Sequence, residues 1–402
     1  MVPIQPRPSP IKKGAFSTFL RSILSVSFLI QLLVVIFIGL TAQWIITNTI
    51  TNMQANNMTA GFGFLLQRAG VSIPNSLIPY SEDSNYLTAL AAGFVNTIVM
   101  AVLCIIASSL LGLLIGIGRL SNNWLVSKIC LFYIETFRNI PPLLVIFFWY
   151  FAIIQALLPS VRDSIALPFN VFINQRGIFL PQPIFGQSGW LIVLSFAVAV
   201  IISLLLCISL HHWSKKRFEQ SGKALLLWPF YILIFIAVFL ILMPILQFSG
   251  FNIPQAGRFN ISGGTSITPE FTALFLALSI YTSALIAEIV RSGLQGVDYG
   301  YKEAGASLGL KPRLITRLIV LPLALRIIIP PLSSQYMSLM KNTSLATAIG
   351  YTEIMRIGNT IYNQTGQPIQ VTVIWIIVYL SLSLLISLVM NWFNYKTSLK
   401  GR

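Results

Sequence analysis

One feature repeats along this chain: apolar runs of about 20 residues, separated by short basic or polar segments. A membrane-spanning helix needs roughly 20 consecutive, mostly apolar residues. Eight runs meet that length, at residues 23–46, 89–118, 130–157, 190–210, 224–247, 269–290, 320–345 and 370–393. Composition agrees, with 56% hydrophobic and 9% charged residues. An ordinary soluble domain carries about 25% charged residues, and no water-soluble core hides this much apolar surface. The fold class this predicts is an all-α integral membrane protein of about eight transmembrane helices, its partner the lipid bilayer. The seventh run is the least regular, because Arg326, Pro330, Pro331 and Lys341 interrupt it. Membrane helices tolerate such breakers where neighbours satisfy the freed backbone groups.

An even number of spans puts both termini on one side. Of the 26 Lys and Arg residues, 20 fall on that side, and 6 fall on the other: Arg68, Arg162, Arg176, Arg258, Lys341 and Arg356. Basic residues accumulate on the cytoplasmic side of a membrane protein, so both termini are expected in the cytoplasm. The net charge of +16 is then mostly a topology signal. The basic residues form no single patch, so nucleic acid is not the expected partner. Residues 1–22 carry Arg7, Lys12, Lys13 and Arg21 and read as a cytoplasmic tail. The run that follows is too long for the ~7–15-residue core of a cleaved signal peptide. Cys104, Cys130 and Cys207 form no paired motif, and His211 and His212 are adjacent rather than one helical turn apart. Neither a disulfide framework nor a metal site is expected.

The most informative segment is YGYKEAGASLGLKPRLITRLIVLPLAL, residues 299–325, on the cytoplasmic side between two spans. Lys302 to Leu310 reads as a short helix with small residues four apart at Gly305 and Gly309 and apolar residues four apart at Ala304 and Leu308. Small residues let another surface approach the backbone closely, and Glu303 supplies a charge that fixes a docking register. The chain contains no G-x-x-x-x-G-K-[ST] phosphate cradle; Gly222-Lys223 is followed by Ala224. A nucleotide that drives this protein must therefore bind another chain.

This segment resembles the EAA loop of bacterial ATP-binding-cassette (ABC) importer permeases, through Glu303, Ala304, Gly309, Leu321 and Pro322. Gly305 stands where that family usually has a second alanine. RIIIPPLSSQYMSLMKNTSLATAIGYTEI (326–354) is similar to the polar amino-acid branch through Lys341, Asn342, Thr343, Ser344, Gly350 and Glu353. Glu135, Arg138, Pro141 and Leu143, and also Asn96 and Thr97, match further motifs of that branch. The first span, the 47–88 loop and the extra helix pair look like the longer permeases of general L-amino-acid and glutamate/glutamine/aspartate/asparagine importers.

The resemblance implies a type I ABC importer-like fold and a permease that translocates polar, acidic or a broad range of L-amino acids across the bacterial cytoplasmic (inner) membrane. It implies a coupling loop near 291–322 inside a transmembrane domain spanning 89–396. An inserted helix pair lies near 190–247, an extra first span and periplasmic loop over 23–88, and a short tail over 397–402. The implied partners are a cytoplasmic ATPase dimer, a second permease in a heterodimer or homodimer, and a periplasmic amino-acid-binding protein. ATP and Mg would sit on the ATPase; no cofactor is expected on this chain, which is not itself an enzyme. The alternative is an ion-coupled secondary amino-acid transporter.

Polar residues inside spans carry a functional default, because a charge at the bilayer centre costs roughly 2.5–3.5 kcal/mol even on the lenient scale. Glu288 lies three residues before Arg291, so the pair can simply neutralise itself. Lys341, Asn342, Thr343 and Ser344 follow a proline-broken helix. Two readings stand for them: a cavity-facing substrate site or a structural turn. Asn96 and Thr97 join the candidate translocation path. Gly112, Gly116 and Gly118 read as a close-packing stripe. The 47–88 loop is apolar enough to predict a packed segment or interfacial helix.

Overall fold

The computed structural model describes residues 26–55, 61–74, 76–186, 189–221, 227–257 and 260–397. The tail over 1–22 and residues 398–402 lie outside them. The chain divides into two units, Met1–Phe62 and Gly63–Arg402. In the first, helix α1 (Val26–Ala55) is apolar, and nearly all its described side chains are exposed, as a lipid-facing span requires.

The second unit is built on α2 (Tyr86–Arg119) and α7 (Pro269–Gln295). A Cβ on Gly112 would meet Ile286 side-chain carbons at 2.7 Å, and one on Gly116 would meet Ala287 O at 2.7 Å. The glycine stripe therefore brings two backbones together, as small residues do in membranes. Hydroxyls tie further elements to α7. The Tyr133 hydroxyl donates to Ile280 O at 3.0 Å and lies 2.6 Å from the Ser283 hydroxyl. The core of this unit includes Met100, Cys104, Ile146, Leu274, Leu278 and Leu339, all buried.

Among the described residues, six helices are long and apolar enough to cross a membrane: Val26–Asn52, Tyr86–Arg119, Leu194–Ser214, Pro269–Gln295, Pro312–Ile349 and Pro368–Thr397. Two of the eight expected runs take a different form. The run at 130–157 is broken into α3 (Trp124–Arg138) and α4 (Pro142–Phe147), which continues as a π-helix to Gln155. The pair bends by 106°, because Pro141 and Pro142 cannot continue the preceding helix. Counted as one, the pair makes a seventh span. Of the run at 224–247, which follows α5 (Gly189–Ser221), the described residues form α6 (Trp228–Ile245), and its apolar stretch Pro229–Ile245 is shorter than the six spans above.

Nor is the chain helical throughout. Between α4 and α7 lie β1 (Ile165–Leu167), β2 (Val171–Asn174), β3 (Gly177–Leu180), β4 (Gln182–Phe185), β5 (Phe248–Asn252), β6 (Gln255–Ala256), β7 (Ile261–Ser262) and β8 (Thr265–Ile267). β1-β2-β3-β8 form one antiparallel sheet, and β4-β5 and β6-β7 pair separately. Residues 165–180 alternate apolar and polar side chains only weakly, so strand period is hard to see in them. β8 leads directly into the start of α7. At the same end, Phe64, Ala69 and Ile73 pack into a cluster with Tyr86, Leu90, Ile357 and Ile361. From the described part of the 47–88 region, a short 3₁₀ turn (Gly63–Leu66) and this packed segment emerge.

Candidate functional site

At the opposite end, after α7, the chain forms α8 (Tyr299–Ser307). Asp298 caps it, its carboxylate accepting the Gly300 N–H at 2.8 Å. It ends in a two-bond glycine cap: Gly309 N–H donates to Ala306 O at 2.9 Å and Leu310 N–H to Gly305 O at 3.2 Å. Gly309 adopts φ +73°, the left-handed geometry such a cap uses. Lys311 and Pro312 then start α9 (Pro312–Ile315), which runs through a π-turn at Thr316–Val320 into α10 (Leu321–Asn342). Leu321 and Pro322 thus form the root of α10.

The faces of α8 are now distinct. Tyr299, Glu303, Ala304 and Leu308 are exposed, Leu308 at 79%. Gly305 is buried, and a Cβ there would lie 2.9 Å from Ile319 Cδ1 and 3.1 Å from Ile315 Cγ1. The close approach that Gly305 permits is therefore to the chain's own next helix. α8 is thereby braced on α9 and the π-turn, with Ile315 and Val320 buried beneath.

Glu288 stands apart. Its carboxylate accepts from Arg291 Nη2 at 2.5 Å and Nε at 2.9 Å, and Arg291 also reaches Gln295. That is a self-contained pair on α7.

The other candidates fall into two neighbouring places. After α10 the chain tightens into a 3₁₀ helix, Thr343–Ile349, turns at Gly350 (φ +86°), and starts α11 (Ile354–Thr365). The Asn96 side chain donates to Thr352 O at 2.9 Å, and the Thr97 hydroxyl accepts the Ile354 N–H at 3.2 Å. Both residues staple this turn to α2. The Thr343 and Ser344 hydroxyls fold back onto Met340 O and Lys341 O, at 2.7 Å each. Lys341 is exposed and shares a groove of about 300 Å³ with Ser344, Met355 and, from α12 (Pro368–Thr397), Thr372, Trp375 and Tyr379. Asn342 is half-buried at the end of α10.

Sequence reasoning placed Glu353 in a motif but gave it no role. It is fully buried and caps α11. One carboxylate oxygen accepts from the Thr347 hydroxyl (2.9 Å) and Arg356 N–H (2.8 Å); the other accepts from Met355 N–H (2.9 Å) and the Tyr379 hydroxyl (3.0 Å). Burial pushes this carboxyl up to about 7, while its four donors pull the other way. Its signal was an acidic residue directly ahead of the amphipathic run 354–365. Among the described residues no His, Cys, Asp and Glu are grouped to hold a metal.

Residues 213–398 match the family model described as "Binding-protein-dependent transport system inner membrane component". Across nearly the whole chain, three curated relatives are similar. The general L-amino acid transport system permease protein AapQ of Rhizobium johnstonii is 47% identical over 382 residues, covering 94% of this chain and 93% of its own. The putative amino-acid ABC transporter permease protein YhdX of Escherichia coli is 40% identical, covering 94% and 95%. The glutamate/glutamine/aspartate/asparagine transport system permease protein BztB of Rhodobacter capsulatus is 35% identical, covering 94% of each.

Proposed function

Because the chain belongs to the family of amino-acid ABC transporter permeases, we propose that α8 is the surface through which a separate cytoplasmic ATPase drives it. The chain is a multi-pass membrane permease, and no phosphate cradle occurs in its sequence. ATP and Mg belong to the partner, which hydrolyses the nucleotide.

One observation carries the docking reading. α8 presents Glu303, Ala304 and Leu308 outward while Gly305 locks its other face against Ile315 and Ile319. A push on α8 passes through α9 and the π-turn into α10, with little slack where Gly305 packs on the Ile315 and Ile319 side chains. A leucine as exposed as Leu308 at the tip of a braced helix fits a partner's cleft better than solvent.

The permease works in the bacterial inner membrane with both termini in the cytoplasm, as the lysine and arginine asymmetry supports. It pairs with a second permease and receives L-amino acids from a periplasmic binding protein. The Lys341–Ser344 groove is the candidate stretch of the translocation path: a lysine beside a helix break offers charge to a passing carboxylate.

The test is Glu303→Lys in the complete importer. Membrane insertion should be normal, while the ATPase no longer co-purifies or its hydrolysis no longer drives uptake. Normal ATP-driven uptake in that variant would refute the role given to α8.

A further inference from the structure

The end of the bundle opposite α8 holds a cavity of about 250 Å³. A water occupies about 30 Å³ of liquid, so the space suits one small solute or a few waters. Its walls include Asn96 on α2, Thr265 on β8, Thr268 and Phe271 at the start of α7, and Tyr351 and Thr352 in the turn before α11. No charged residue lines it. The next residue, Glu353, has both carboxylate oxygens occupied by its own four donors.

Three polar groups of this wall, on Asn96, Thr265 and Thr352, keep hydrogen-bonding capacity. Asn96 is only 4% exposed. Its partner is the Thr352 carbonyl oxygen, an acceptor, so the end of the amide that faces it must be the NH₂. That leaves Oδ1 as the other end, and it accepts no hydrogen bond from the described residues. The hydroxyls of Thr265 and Thr352 likewise make none with the described residues. An amide oxygen that faces a cavity without a protein donor is ordinarily met by water or ligand.

We propose that this cavity is an outer subsite of the permease itself, taking an N–H donor of the amino-acid cargo: its ammonium group or a side-chain amide. The assignment rests on the importer reading given above. Asn96 Oδ1 and the two threonine hydroxyls are the acceptors. A carboxylate would face Oδ1 with like polarity and find no lysine or arginine on the wall. A purely apolar group would leave all three polar atoms unmet. The cargo's carboxylate therefore points toward the hydrated mouth.

The experiment uses the permease–ATPase complex without its binding protein. Equilibrium binding of labelled glutamine and labelled leucine is measured for wild type, Thr352→Val, Thr265→Val and the double variant. These substitutions keep side-chain shape, and neither removes the Asn96–Thr352 carbonyl bond. Each single variant should bind up to about tenfold more weakly, the size of one lost hydrogen bond, and the double variant more weakly than either. An equal loss for glutamine and leucine assigns the ammonium group; a loss confined to glutamine assigns the amide. Unchanged affinity for both, or no binding of either to wild type, overturns the subsite. Uptake by wild-type importer in proteoliposomes is measured alongside. ATP-driven uptake with unchanged binding removes only the subsite, whereas absent ATP-driven uptake removes the importer reading.

Discussion

Replacing Gly309 by alanine isolates one contribution to the structure of α8. The backbone there sits at φ +73°, and nothing lies within 4 Å of the position a Cβ would take. No packing clash therefore accompanies the change. What remains is the cost of holding an L-residue in left-handed geometry, roughly 1–2 kcal/mol. Stability changes of that size shift a local opening equilibrium about 5–30-fold. The helix it closes has nine residues, too few to hold without its cap and its tertiary contacts. The assay is amide hydrogen exchange on the purified complex, read at Leu308, Gly309 and Leu310, whose N–H groups form the cap. Gly309→Asn is the comparison, because asparagine enters the left-handed region more readily. Protection should fall by that factor in the alanine variant and much less in the asparagine variant. Equal protection in alanine, asparagine and wild type would refute the idea that this cap holds α8 together.

Two further outcomes follow from the packing. Gly112→Ala or Gly116→Ala should lower the melting temperature of the purified permease, by an overpacking cost of typically 1–3 kcal/mol, because each added methyl meets α7 backbone or Cβ atoms within 3 Å. Glu353→Gln should destabilise by roughly 1–3 kcal/mol in thermal unfolding, since its NH₂ would face groups that are themselves donors; unfolding identical to wild type would show that the four-donor cap contributes nothing.

The apolar runs located most of the spans, since period hardly matters when every face is apolar. Two kinds of feature were harder to read. Helix breaks were the first: 130–157 is apolar enough to pass for one span, and only Asn139, Ile140 and the prolines at 141 and 142 marked the bend. The second was direction. Each helical residue turns about 100°, so the phase of a nine-residue helix cannot be fixed without knowing what it rests on. Gly305 and Gly309 looked alike as small residues four apart, yet one packs inward against Ile319 and the other serves only as a cap. Asn96 and Thr97 read as path residues from their motif. The structure adds that both bind the turn before α11, and that Asn96 also lines the cavity beside Thr352. The roles of Glu353 and Tyr379 depend on contacts between segments 26 residues apart, which no local pattern contains.

The docking role of α8 is tested most directly at Leu308, the most exposed apolar side chain on it. A photo-crosslinking amino acid placed there, in the assembled importer in membranes, should give a covalent adduct with the ATPase subunit. An adduct with lipid alone, or none, in a complex that still couples ATP hydrolysis to uptake would contradict the account.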